Sequence, residues 1–169
     1  MRIKTVKMKD LKFDPNLFRP MSTGRAIDAH FSSTRGIMRG TNYAIVGDPG
    51  VGKTTVMLDI LADLHTRGQK VLFISGEMNS IDMYGYVKRY PKFADLPILF
   101  MGDYAEDNCL NVLTEILDEG WDCVLIDSMA EVVNGVMDTH KGYMSSKRAE
   151  SEILNLFEKH NKAENNFKV

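Results

Sequence analysis

Cysteine is scarce in this chain, with Cys109 and Cys123 the only two in 169 residues. They have neither C-x-x-C spacing nor a histidine close by, which argues against a structural zinc site. Cys123 sits inside an apolar run and reads as a small core residue. An excess of one charge is also lacking: the formal net charge is −2, with 26% charged residues. That removes any global electrostatic case for a polyanionic partner, so a nucleic-acid contact has to be a local patch. No apolar run approaches the length that spans a bilayer, and the opening Met-Arg-Ile-Lys-Thr-Val-Lys has no signal-peptide core. A reducing, cytoplasmic setting with no membrane partner is expected. There is no internal repeat and no low-complexity tract. The length suits one domain with a real core.

What is present in abundance is glycine at one place. Residues 43–55, Tyr-Ala-Ile-Val-Gly-Asp-Pro-Gly-Val-Gly-Lys-Thr-Thr, read as an apolar strand running into a glycine-rich loop and then a helix. Gly47, Lys53 and Thr54 have the spacing G-x-x-x-x-G-K-[ST] of a phosphate-binding loop. Gly47, Gly50 and Gly52 let the backbone wrap round a polyphosphate, and Pro49 stiffens the turn. The following helix directs free N–H groups and its positive dipole end at the phosphates. Lys53 supplies a point charge for the β/γ oxygens, and the Thr54 hydroxyl is placed to ligate Mg²⁺. The candidate nucleotide-binding residues are Gly47, Asp48, Pro49, Gly50, Val51, Gly52, Lys53, Thr54 and Thr55. Asp48 is expected to point outward, away from phosphate, and Thr55 to serve the helix.

Along the chain, residues 1–20 alternate lysine with apolar residues and read as a loose arm or an edge strand. Residues 26–31 carry a short helical pattern. Strands are expected at 43–47, 71–75, 98–102 and 121–127. Helices are expected at 54–67, with Val56, Met57, Ile60, Leu61 and Leu64 inward, at 80–90, at 108–119 and at 147–160, with Ile153, Leu154 and Phe157 inward. The run at 71–75 suits a strand buried on both faces, so the sheet is expected to be parallel and flanked by helices on both faces. Residues 130–147, with Gly135, Gly142 and a pair of serines, read as a mobile loop. Two strand ends carry acids. Asp127 closes Val-Leu-Ile-Asp and suits a carboxylate that holds Mg²⁺ directly or through a bound water. Glu77 follows the 71–75 strand and suits a general base that polarises the attacking water. Ser75 and Ser128 sit beside these acids. Asp122 lies at the opposite end of its strand and is not a site candidate.

These stretches resemble a known family. Gly47-Asp-Pro-Gly-Val-Gly-Lys-Thr, Leu72-Phe-Ile-Ser-Gly-Glu77-Met and Val124-Leu-Ile-Asp127-Ser-Met look like the Walker A motif, catalytic-glutamate strand and Walker B motif of RecA-like ATPases, most of all RadA/Sms-type repair ATPases and the motor domain of DnaB-type helicases. Ser22-Thr-Gly-Arg-Ala-Ile-Asp28 is similar to a Thr-Gly-x-x-x-Leu-Asp segment those families carry before the loop. The resemblance covers residues 20–130 and implies an α/β P-loop NTPase fold, ATP and Mg²⁺ as cofactors, and assembly into a homo-oligomeric ring or filament with nucleotide between subunits. The zinc-binding and protease-like parts of RadA and the helical domain of DnaB have no counterpart here. The family also inserts a further strand between its Walker A and Walker B strands, where this sequence ends at Phe167-Lys168-Val169. The expectation is therefore an arm, 1–20, and a core, 21–169, that is the N-terminal part of a longer ATPase. Alone it should aggregate or misfold; the alternative is a short form completed by another chain's strand.

The function implied is ATP hydrolysis coupled to single-stranded DNA in recombination, repair or replication. Family members carry a DNA-contacting loop after Walker B, which makes His140, Lys141, Tyr143, Lys147 and Arg148 the candidate DNA contacts, with a solvated loop as the alternative. A second reading is a KaiC-like regulatory or assembly ATPase acting on protein partners, for which Lys12-Phe13-Asp14-Pro15 could dock. A nucleotide kinase fits less well, because Glu77 and Asp127 suit water activation better than transfer to an acceptor.

Overall fold

Strand β1, Val71–Ser75, is apolar up to its last residue and buried along its whole length. Such a run needs a partner on each edge and cover on each face, and it has all four. Strands β2, Ile98–Phe100, and β3, Cys123–Asp127, pair with it in parallel on either side, in the order β2-β1-β3. Alternate residues then face opposite layers. Leu72 and Ile74 pack with α3 (Cys109–Asp118), α4 (Met129–Thr139) and α5 (Ser146–Glu164) through Leu113, Leu117, Val132, Val136, Ala149 and Ile153. Val71 and Phe73 meet α1 (Lys53–Thr66) through Leu58, Leu61 and Leu64, with Met83, Tyr86 and Val87 of α2 (Ser80–Arg89) along the margin. Each fully buried leucine, isoleucine or phenylalanine contributes about 2 kcal/mol, so the two cores hold the layers on the sheet. The computed structural model describes residues 5–12 and 15–164.

The expected parallel α/β architecture with helices on both faces is what forms. Helix α2 opens on a capping box, Asn79 accepting from Ile81 and Asp82 while Asp82 accepts from Asn79 N–H. Asn108 caps α3 by accepting from Asn111 N–H at 3.1 Å. Strand β2 is shorter than expected because residues 101–104 tighten into a 3-10 turn, and β3 begins at Cys123 rather than 121. At the amino end of β3, Arg39 donates to Asp122 at 2.6 Å and Lys70 N–H donates to the same carboxylate at 2.9 Å. Asp122 is thus structural, as its position implies.

Three expectations fail. Residues 43–47 form no strand: they are exposed, and Val46 is 92% accessible. An apolar run becomes a strand only where a neighbour pairs its backbone, and among the described residues nothing lies beside it in the sheet. The mobile loop at 130–147 is instead helix α4 over most of its length. Ser128 caps it, and Val132, Val133 and Val136 bury one face at helical spacing. Gly135 is inside that helix and faces Cys109, whose Sγ lies at ordinary contact distance, 3.5 Å, from where a Cβ would stand. Finally, Val56 and Leu154 are 49% and 40% exposed, while Leu58 and Ala149 take the inward positions. In the arm, the described residues 5–12 are exposed, and 3-10 turns form at Met8–Asp10 and Pro15–Phe18 with no strand among the described residues; 1–4, Phe13 and Asp14, and the final 165–169 that include Phe167-Lys168-Val169, lie outside the described residues.

Residues 21–40 fold round a buried carboxylate and are tied to α1 by two arginines. Asp28 accepts from Ser22 Oγ (2.7 Å), Thr23 Oγ1 (2.6 Å), Thr23 N–H (3.0 Å) and Gly24 N–H (3.1 Å). Arg67 at the end of α1 donates to Thr23 O at 2.9 Å, and Arg25 pairs with Asp59 and Asp63 of α1. Burial pushes the Asp28 carboxyl up, but the hydrogen bonds from Thr23, Ser22 and Gly24 outweigh it and hold the group below its ordinary 3.8. Its contribution is therefore complete above pH 4 and lost as pH falls through the depressed folded value. Asp28→Asn is expected to lower stability by about 1–3 kcal/mol at pH 7. In urea unfolding the gap between wild type and variant should narrow steadily as pH is lowered below 4.

Candidate active site

The parallel pairing of β1 with β3 brings two strand carboxyl ends together, with Ser75 opposite Asp127. Ligand crevices of open parallel sheets lie at this edge. The N-terminus of α1 arrives at the same place: Thr54 Oγ1 donates to Asp127 Oδ2. Residues 73 positions apart in sequence thus meet as a hydroxyl and carboxylate, the pair expected to serve a divalent cation.

The loop before α1 has the backbone the spacing requires. Gly50 and Gly52 adopt φ of +78° and +89°, a region costly for residues with a Cβ, and Gly52 is the residue from which α1 starts. Lys53 Nζ turns back on the loop, donating to Gly47 O at 2.8 Å and Asp48 O at 2.9 Å. Its ammonium therefore stands over the loop that residues 47–52 make. Pro49, Val51 and Asp48 are exposed there, and Thr55 lies within the first turn of α1.

Glu77 lies in the turn that leaves β1 and is exposed to solvent. Beside it, Gly76 N–H donates to Asp127 O at 2.9 Å, so the turns after β1 and β3 are linked through the backbone. Ser128 caps α4, its Oγ accepting from Glu131 N–H at 3.4 Å. Glu131 was hidden from sequence reasoning because its stretch reads as loop; its Cβ stands 3.0 Å from the position a Gly76 Cβ would take. Among the described residues no three His, Cys, Asp or Glu side chains converge as a metal cage. A site offering one hydroxyl and one carboxylate suits Mg²⁺, which keeps waters and takes oxygens from a bound phosphate.

The candidate DNA contacts fall on one connection. His140 ends α4, Lys141 and Tyr143 are exposed, Tyr143 at 90%, and Lys147 and Arg148 occupy the first turn of α5. Met144 between them is buried and anchors the segment.

Fold and site together define an α/β protein with polar residues gathered at the carboxyl edge of a parallel sheet, and similarity to known proteins narrows that class. The chain is 30% identical over 114 residues to the DNA repair protein RadA of Campylobacter jejuni, 33% identical over 114 residues to that of Listeria monocytogenes, and 30% identical over 127 residues to that of Streptococcus pyogenes. These alignments take in 67%, 67% and 75% of this chain but 24%, 24% and 27% of the relatives, so the chain spans about a quarter of their length. No family model and no solved structure matches it. Over about two thirds of its length the chain is thus related to the RadA repair proteins. No helix among the described residues is long and apolar enough to cross a membrane.

Neither cysteine belongs to the site. Burial pushes the Cys109 thiol up to about 11, and Cys123 is pushed up to about 12 by burial and then by the neighbouring Asp122 carboxylate. Both are expected to resist a thiol-reactive disulfide reagent at pH 8 in the native protein and to react at once in denaturant. Rapid native labelling of Cys109 would contradict the packing of α3 on α4.

Proposed function

We propose that this chain is the nucleotide-binding core of a RecA-like ATPase of the RadA/Sms type, hydrolysing ATP and acting on single-stranded DNA in recombination or repair. The observation that carries the reading is the Thr54–Asp127 contact, which joins the glycine loop to the acid-tipped strand at the carboxyl edge of the sheet. In this reading the N–H groups of 47–53 and the Lys53 ammonium bind the phosphates, Lys53 exchanging its two carbonyl partners for phosphate oxygens. Thr54 and Asp127 hold Mg²⁺, which supplies charge neutralisation on the β and γ oxygens when bound. Glu77 orients a water and takes its proton as the water oxygen bonds to the γ phosphorus. The bond from phosphorus to the bridging oxygen breaks, leaving ADP and phosphate.

Two features support a DNA partner. RadA relatives bear the name of DNA repair proteins, and the 140–148 segment places Lys141, Tyr143, Lys147 and Arg148 on the surface together. Lys147 and Arg148 stand at a helix N-terminus, where cations oppose the dipole by about 0.3–1 kcal/mol each. A phosphate chain relieves that repulsion, and Tyr143 offers a face for a base. Assembly into a ring or filament belongs to the same proposal, supported by the apolar surface that Tyr43, Ile45 and Val46 leave beside the loop.

Lys53→Ala and Glu77→Gln are each expected to lower Mg·ATP turnover by about a hundredfold or more, while Glu77→Gln still binds ATP. Turnover unaffected by both would overturn the ATPase reading. Charge reversal at Lys141, Lys147 and Arg148 should weaken binding to an oligo-dT probe about tenfold and flatten its dependence on salt. Hydrolysis and binding that ignore DNA altogether would favour the KaiC-like, protein-directed alternative.

A further inference from the structure

The turn that carries Glu77 is held by a side chain with no other task. Ser75 is the last residue of β1 and is 1% exposed, one of three buried polar or charged residues among those described. Its hydroxyl donates to Met78 O at 3.0 Å, and the same oxygen accepts from Met78 N–H at 3.1 Å. One hydroxyl thereby closes residues 75–78 into a loop with Glu77 at its outer side. A buried hydroxyl left unbonded is costly, so this closure is strongly preferred over an open turn.

The next residue fastens the closed turn to the other acid. Gly76 N–H donates to Asp127 O at 2.9 Å. A Cβ on Gly76 would stand 3.0 Å from Glu131 Cβ and 3.3 Å from Ser128 O, so the two turns are already in close contact and a side chain here would push them apart. Asp127 in its turn accepts from Thr54. The sequence of contacts runs Glu77 turn, Ser75 clasp, Gly76 link, Asp127, Thr54.

We propose that Ser75 and Gly76 are positioning residues that fix the Glu77 carboxylate relative to the Thr54–Asp127 pair, so that general base and metal site are set by one rigid unit. This rests on the ATPase reading above. Misplacing a general base by an ångström costs turnover far more than it costs nucleotide affinity, since binding depends on the loop at 47–54. Ser75 acts through Glu77, so its removal should matter only while Glu77 can act.

The test is single-turnover hydrolysis of Mg·ATP, with affinity for a fluorescent ATP analogue and thermal melting measured in parallel, for wild type, Ser75→Ala, Gly76→Ala, Glu77→Gln and Ser75→Ala/Glu77→Gln. Ser75→Ala is expected to slow hydrolysis about tenfold or more with affinity within twofold, and Gly76→Ala to do the same. The double variant is expected to be no slower than Glu77→Gln alone. Three results would overturn the inference: wild-type turnover in Ser75→Ala, a parallel loss of affinity and rate, or the same loss factor in both backgrounds. Melting within a few degrees of wild type separates positioning from unfolding. A wild-type chain that binds the analogue without hydrolysing ATP, or does neither, would sink the ATPase reading itself and this inference with it.

Discussion

Parallel pairing between β1 and β3 is the constraint from which the site follows. Five residues on each strand pair in register, from Val71 opposite Cys123 to Ser75 opposite Asp127. A slip by one position would turn Phe73 and Ile74 toward the wrong layers, exchanging the α1 core for the α3–α5 core, so burial on both faces forbids it. The same register delivers Ser75, Gly76 and Asp127 to one edge. Packing thus determines where the chemistry sits: Leu58, Leu61 and Leu64 hold α1 on the sheet, and the start of that helix is what reaches Asp127.

Electrostatics then sorts the carboxylates by role. Asp28 and Asp122 are saturated with donors and held below their ordinary range, which marks them as anchors of the 21–40 segment and of the amino end of β3. Asp59 and Asp63 are taken by Arg25 and Lys92. Asp127 meets a single hydroxyl and Glu77 faces solvent at the carboxyl edge of the sheet. Acids surrounded by protein cations or hydrogen-bond donors build the fold; those at the carboxyl edge are left with few protein partners.

Much of this was legible in the sequence because the relevant signals are local. Val71–Ser75 reads as a buried strand from its unbroken apolar run, and the loop reads from glycine spacing whose φ values the backbone adopts at Gly50 and Gly52. Asp127 could be placed at a strand end, though its contact with Thr54 depends on a register that no single segment encodes. The failures have physical causes. Tyr43 to Gly47 has strand composition, but a strand is a pairing and composition says nothing of the partner. Helix α4 was hidden by Gly135, which a loop reading explains easily but which the helix accommodates in its interior. The pattern Val132, Val133, Val136 was the signal that could have found it. The Ser75 clasp was the least legible, since a serine at a strand end looks the same whether or not it closes a turn.

The central claim is that Thr54 and Asp127 form one site for metal-bound nucleotide. The most direct measurement is calorimetric titration with a slowly hydrolysed ATP analogue, with and without Mg²⁺, on wild type and Asp127→Asn. Mg²⁺ is expected to tighten binding to wild type by about tenfold or more, and the variant to lose this gain while still binding the metal-free analogue. Binding that ignores Mg²⁺ in wild type, or a variant that keeps the full metal effect, would contradict it.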